Sequence, residues 1–289
     1  MLLEQKLESG KFAVIAEMEP PKGTRVADLV THAKRVKDRV AAFLVPEMNH
    51  AVMRMSALGG AMILQAQGMD AVMQVCCRDR NRLALQGDLL AAAACGVGSV
   101  VVVGGEDPSH GDHHQARAVH DIGPLDLLDA IGKMRQGRDM AGVDLDGPPR
   151  FLVGATTNAG ARGRSLEIEV AEISRTAAAG AQFVITPPIF DLEQVRPIMD
   201  RVDPARVALF PTVLLLKSLG MARYMERNMP HLYIPPEIID RIQRAPDKVR
   251  ECVRIAVELT QRIKAEGFPG VVLSTLGWEH KLQEIVEAI

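Results

Sequence analysis

Short runs of apolar, mostly β-branched residues alternate along this chain with longer segments whose apolar residues recur every three or four positions. The runs at 12–16, 42–45, 71–76, 99–103, 150–154, 182–185, 206–210 and 270–274 read as eight strands. Helical spacing covers about 26–38, 51–67, 80–94, 124–136, 165–179 and 192–201, then a helix-rich stretch at 217–266 and a last helix at 278–289. Within the longest of these, Val249, Cys252, Val253, Ala256, Leu259, Thr260 and Ile263 keep the spacing of one buried stripe. Val100 to Val103 have no polar face, so that strand is covered on both sides, as in a parallel sheet wrapped by helices.

Strand–helix repeats in this number predict a (β/α)8 TIM barrel, an α/β fold, with residues 1–289 as a single domain. An open, doubly wound sheet is the alternative. Against it, the first strand is followed by no G-x-G-x-x-G and runs instead into AEMEPPKG. Pro20 and Pro21 stop that strand, since proline cannot donate to the ladder. The stretch 138–149 reads as an exposed loop on the amino-terminal side of the fifth strand, without chemistry.

Charge narrows the partners. Lys and Arg number 34 against 36 Asp and Glu, a net charge of -2 with both signs interspersed, which argues against nucleic acid or a membrane. The four cysteines, Cys76, Cys77, Cys95 and Cys252, show neither a CxxC pair nor metal-ligand spacing, so no metal site and a reduced, cytoplasmic setting are expected. Cys95 and Cys252 fall on apolar helical faces and are expected in the core. The first dozen residues carry charges where a signal peptide needs an apolar segment, and no run of eighteen apolar residues occurs. With aromatic residues at only 3%, the core must be aliphatic, and Trp278, Tyr224, Tyr233 and seven Phe are the only candidates for stacking.

If the barrel closes, the carboxyl ends of its strands form one mouth. It gathers Glu17; Glu47; Cys76, Cys77, Arg78 and Asp79; Gly104 to Asp107; Thr156 and Asn158; Thr186 to Pro188; Pro211 and Thr212; and Ser274 with Thr275. Glu17, just beyond an apolar strand, is partly desolvated; that raises its pKa and suits it to proton transfer. A strand-end carboxylate paired with Lys22 fits the same residues. Gly104 and Gly105 let backbone approach a ligand closely, and Glu106 and Asp107 are either site acids or a solvated turn. His110, His113, His114 and His120 match no zinc pattern and read as solvated or ligand-capping. Arg78, Arg80 and Arg82 are either a clamp for phosphate or carboxylate or solvated side chains on a helix that Asp79 caps. Cys76 and Cys77 have no His and Asp beside them and suit a buried strand-end thiol.

The stretches AEMEPPKG, AVMRMSAL, CCRDRNRLALQGDLL, VVGGEDPSHGDHHQARAVHDI, FLVGATTNAGA, AAAGAQFVITPPIFD and LLLKSLGMARYMERNMP with IPPEIIDRI follow in an order and spacing that resembles the methylenetetrahydrofolate reductase family over nearly the whole chain. The resemblance implies a flavin enzyme of one-carbon metabolism and methionine biosynthesis. FAD at the strand ends takes hydride from NAD(P)H or another donor and passes it to 5,10-methylenetetrahydrofolate, giving 5-methyltetrahydrofolate. The family's general acid falls on Glu17. Its aspartate between flavin and pterin falls on Glu106, one methylene longer. Cofactor contacts fall on Glu47, Gln74, Cys76, Arg78, Gly105, His120, Thr156, Asn158, Glu169, Arg175 and Thr186.

Departures from the family pattern occur at several contacts. The folate-contacting glutamine is Pro187, the threonine after the second strand is Pro46, and the strand-three histidine is Gln74. Gly104 precedes the glycine–acid pair, His120 replaces a tyrosine, Thr176 beside Arg175 replaces a lysine, and Trp278 replaces an arginine. The resemblance then implies a divergent branch, such as reductases of the Wood–Ljungdahl pathway fed by a partner electron-donor subunit, which would itself carry any iron–sulfur cluster. A flavin-poor folate-binding or methyl-transfer subunit of a larger one-carbon complex is the alternative. A homo- or hetero-oligomer is expected.

Overall fold

In the computed structural model, which describes residues 2–289, β1 (Ala13–Glu17), β2 (Ala42–Val45), β3 (Ala71–Cys76), β4 (Ser99–Val103), β5 (Leu152–Thr156), β6 (Phe183–Ile189), β7 (Ala208–Leu214) and β8 (Gly270–Ser274) pair in parallel, in sequence order. β8 returns to β1 and closes the ring, with Ala13 beside Gly270 and Ala16 beside Leu273. The helices are α1 (Leu2–Glu8), α2 (Ala27–Val36), α3 (Ala57–Gln65), α4 (Arg82–Ala94), α5 (Pro124–Arg135), α6 (Leu166–Ala178), α7 (Arg196–Met199), α8 (Leu219–Asn228), α9 (Pro236–Arg244), α10 (Lys248–Ala265) and α11 (Leu282–Val286). The fold is a (β/α)8 barrel.

Strand alternation separates two cores. Ala13, Ile15, Leu44, Val72, Val101, Leu152, Phe183, Phe210 and Val272 fill the lumen, and Leu3 of α1 joins them from the amino-terminal end. Their neighbours Val14, Ala16, Phe43, Val45, Met73, Val100 and Val153 pack outward against the helices. Phe183 and Phe210 meet edge to face, their centroids 5.8 Å apart. Space for them comes from glycine: a Cβ on Gly154 would lie 2.4 Å from the Phe183 ring, and one on Gly270 equally close to Phe210.

β6 and β7 outrun their predicted ends because a side chain replaces what proline removes. Pro187 and Pro188 lie where the register shifts between Ile185 and Pro188. Here Thr212 donates its N–H to Thr186 Oγ1 (3.2 Å) and its hydroxyl to Thr186 O (2.7 Å), which extends pairing past the irregularity. The expected helix at 51–67 begins only at Ala57, capped by Ser56. Before it, Asn49–Ala51 form a 3-10 turn with His50 and Ala51 in the left-handed region. The expected helix at 192–201 splits into a turn at Leu192–Gln194 and the short α7, with Pro197 in its first turn. At the end of the chain a 3-10 turn, Glu279–Lys281, precedes α11.

Two local expectations are corrected. Asn81, not Asp79, caps α4, accepting from Ala84 N at 3.1 Å, while Asp79 is taken by Arg78. Cys95 is exposed just past the end of α4, whereas Cys252 is buried as expected. Among the described residues no helix is long and apolar enough to cross a membrane, and no group of three or more His, Cys, Asp or Glu could hold a metal ion.

Candidate active site

The alternation that points Ile15, Val72, Phe210 and Val272 into the lumen does the same, two residues on, for Glu17, Gln74, Thr212 and Ser274, and four residues on from Leu152 for Thr156. The apolar lumen therefore ends in polar side chains at the carboxyl end of the ring. Ser274 Oγ donates to Glu17 Oε1 at 2.7 Å across the β1–β8 seam. Burial pushes the Glu17 carboxyl up to about 7; Glu19 and Glu279 push the same way, while the Ser274 bond and His50 oppose them. The pairing with Lys22 is not formed, because Lys22 is bound to Asp112.

Glu106 stands at the same mouth. Its Oε1 lies 3.5 Å from His50 Nδ1, and this contact, ahead of the nearby Arg78, holds its carboxyl below the usual range. His50 is in turn raised by Glu106 first, and by Glu17 and Glu19 as well. The two acids thus lie within electrostatic reach of one imidazole. Gly105, at φ 87, fixes the approach to Glu106: a Cβ there would lie 2.5 Å from Cys76 Sγ and 2.6 Å from Arg78 Cβ. Cys76 Sγ reaches Gly104 O at 3.7 Å, and burial pushes its thiol up; Cys77, against the outer core, is pushed up to about 12.

The three arginines after β3 are each committed to carboxylates of the chain. Buried Arg78 grips Asp79 through Nε and Nη2 (2.7 and 2.8 Å) and reaches Glu106 O through Nη1 (3.4 Å). Arg80 binds Glu47 (3.2 Å) and Asp88 (2.8 Å), and Arg82 binds Asp121 (2.8 Å). They brace the loops; they are not an open clamp.

Of the other expected contact residues, some reach the mouth and some do not. Gln74 faces it, with Oε1 taken by Glu47 N–H at 3.0 Å. Thr156 and Asn158 are exposed at the end of β5, and Asn158 bonds Glu172 at 3.3 Å. His120 is exposed at φ 41; the nearby Asp107 carboxyl is held low chiefly by Ser109, with His110 and His120 adding to it. Glu47 has the opposite parity: buried between barrel and helices, it accepts from Ala57 N at 2.6 Å and anchors α3. Thr186 is spent on the β6–β7 seam. Glu169 is buried in the first turn of α6 and accepts from the Gly160 backbone. Arg175 is exposed in the last turn of α6, roughly 9 Å further along the axis, and only a short turn from the amino-terminal start of β6. The structure does not bring Arg175 to the mouth.

Several mouth residues carried no pattern that sequence reading isolates. Glu19 pairs with Arg54 at 2.9 Å. Lys217 donates to Leu276 O and lies 5.6 Å over the Trp278 ring, its amine pushed down by burial against the pull of Glu279 and Glu19. Glu19, Arg54, His32 and Glu279 line a cavity of about 380 Å³ at the β1–β8 side. A larger one, about 500 Å³, opens at the opposite end between α1 and β5–β7, and none of the expected site residues lines it. Asp112 gathers the loops after β1, β2 and β4: it accepts from Lys22, from Met53 N at 2.9 Å and from His113 at 2.8 Å. At Gly111 a Cβ would lie 1.8 Å from Ala51 O, so the β2 and β4 loops meet backbone to backbone.

One polar group at the mouth is placed to receive a ligand: Gln74, whose Oε1 is taken by Glu47 N–H, keeps its amide nitrogen for whatever occupies the mouth. Thr275 Oγ1, one residue past Ser274, is buried without a hydrogen-bond partner.

Comparison with known proteins accords with this architecture. The fold is shared with the EDTA monooxygenase of Chelativorans sp. BNC1 at a TM-score of 0.56 and 9% identity, over 96% of this chain and 92% of that one. No curated protein matches the sequence significantly. The family model described as methylenetetrahydrofolate reductase matches residues 2–289, and on that full-length match the chain belongs to the methylenetetrahydrofolate reductase family.

Proposed function

We propose that this protein reduces 5,10-methylenetetrahydrofolate to 5-methyltetrahydrofolate, with Glu17 as general acid. The observation that carries the reading is the Glu17 carboxyl, set on Ser274 in a dry strand end and raised to about 7, so that it holds a proton near neutral pH and can release it. Opening the methylene bridge requires protonation of one of its nitrogens, which makes the carbon an electrophilic iminium. Glu17 delivers that proton, Ser274 fixes the carboxyl, and Glu106, ionised beside His50, faces the cation that forms.

The residues present suit FAD at the ring end: the Gln74 amide, Thr156 and the close backbone at Gly104 and Gly105 offer donors and a narrow approach. Bound there, FAD would supply the hydride, received from NAD(P)H or from a partner electron-donor subunit. The reaction belongs in the cytoplasm, in a homo- or hetero-oligomer. Substituting Glu17→Gln tests the role: folate reduction is expected to be lost while the flavin is still reduced, and persistence of folate turnover overturns it.

A second reading has its own support. Glu47 and Thr186 are closed into the wall, Arg78 is bound to Asp79, and Arg175 lies away from the mouth, so several expected flavin contacts are unavailable. These departures fit a flavin-poor folate-binding or methyl-transfer subunit. FAD at one per chain in protein purified anaerobically would eliminate it.

A further inference from the structure

His50 is a titratable group that the reductase chemistry does not require, yet the backbone is bent to present it. It sits at φ 57 in the Asn49–Ala51 turn, flanked by Met48 at 49 and Ala51 at 54, a conformation L-residues seldom adopt. Its ring Nδ1 lies 3.5 Å from Glu106 Oε1, and the same carboxylate accepts from the His50 backbone N–H. Every element packed around it contributes charge. The loop after β4 brings Glu106, with Arg78 behind it, and Asp107, His110 and Asp112 on and beside the Pro108–His110 turn, which packs on the His50 turn. The end of β1 brings Glu17 and Glu19, and Glu279 lies within reach of Glu17.

We propose that His50 is a positioning residue for proton transfer: its imidazolium pairs with Glu106 and, through the charge it brings to the mouth, tunes how readily Glu17 gives up its proton. The charges divide accordingly. Burial keeps the proton on Glu17 at the seam, whereas Glu106, exposed and beside His50 with Arg78 behind it, remains a carboxylate. His50 lowers both carboxyls, Glu106 more directly. Removing its charge therefore raises both, and Glu17 holds its proton to higher pH.

The role in turnover rests on the reductase reading; the charge effect does not, and the test separates them. Carboxyl carbons of Glu17 and Glu106 are titrated by NMR in full-length protein labelled at glutamate, wild type against His50→Asn, a neutral residue that tolerates the left-handed backbone. The expected result is that both midpoints rise, Glu106 more than Glu17. The alkaline limb of folate reduction should move up with the Glu17 midpoint. In Glu106→Gln the His50 ring should titrate lower than in wild type. Unmoved carboxyl midpoints in His50→Asn, or an unmoved ring in Glu106→Gln, overturn the proposal. Midpoints that move in a protein without folate turnover support it and overturn the reductase reading alone.

Discussion

Both ends of the barrel turn through left-handed backbone, but only the carboxyl end places residues other than glycine there. At the amino-terminal end the chain reverses through glycines at positive φ, among them Gly10, Gly68, Gly96, Gly180 and Gly267, where a missing Cβ removes the penalty. At the carboxyl end Gly105, Gly160, Gly163 and Gly277 do the same, but Met48, His50, Ala51, His120 and Leu276 also adopt left-handed backbone, with side chains attached. Such residues persist only where surrounding contacts over-determine them. Those contacts are the Asp112 bonds, the backbone contact at Gly111 and the His50–Glu106 pair. One end is built for stability, the other holds its side chains in place against local preference.

Substitutions sharpen the contrast, beginning with the largest effect. Glu17→Gln should lower folate reduction by roughly 10²- to 10⁴-fold. The same variant should change how stability depends on pH. A carboxyl whose folded pKa of about 7 exceeds its unfolded value near 4.5 stabilises the fold below pH 4.5, and that contribution is lost as pH rises through 7. Glu17→Gln should flatten this decline, by about 3 kcal/mol at most, read from urea unfolding at pH 5 and pH 8.

Next comes the lumen. Phe210→Ala, below the mouth, should cost about 3–5 kcal/mol in denaturant unfolding while the pH profile of whatever turnover remains keeps its shape. A displaced profile would mean that the two ends are not separable.

Gly105→Ala should act at the mouth through both backbone and sterics. The added methyl meets Cys76 and Arg78 and should destabilise by about 2 kcal/mol, with ligand affinity lost in parallel. The smallest effects test the contrast itself. Ala51→Gly should be neutral or stabilising by about 0.5–1 kcal/mol, whereas Gly68→Ala at the opposite end should destabilise by about 1 kcal/mol. Equal signs for the pair would break the comparison.

The sequence makes the barrel legible because its strands are apolar on both faces and its helices carry one stripe, so period alone separates them. Parity then carries Glu17 to the lumen side of the mouth. Parity also explains Glu47, whose outward position was readable from Ala42 to Val45 but is outweighed in sequence by its place after a strand. His50 is illegible: its partner lies two strands further along the chain, and nothing local announces a left-handed turn. The extension of β6 through Pro187 and Pro188 escapes detection for a similar reason, since the hydroxyls that make it possible sit on two different strands.

Asp112 has a last consequence. Because its carboxyl is held well below the usual range by Lys22, Met53 N–H and His113, this knot stays tied across the physiological pH range. Three loops that would otherwise fluctuate separately surrender their freedom during folding. A molecule docking against that wall meets a surface already set, and keeps more of its contact energy as affinity.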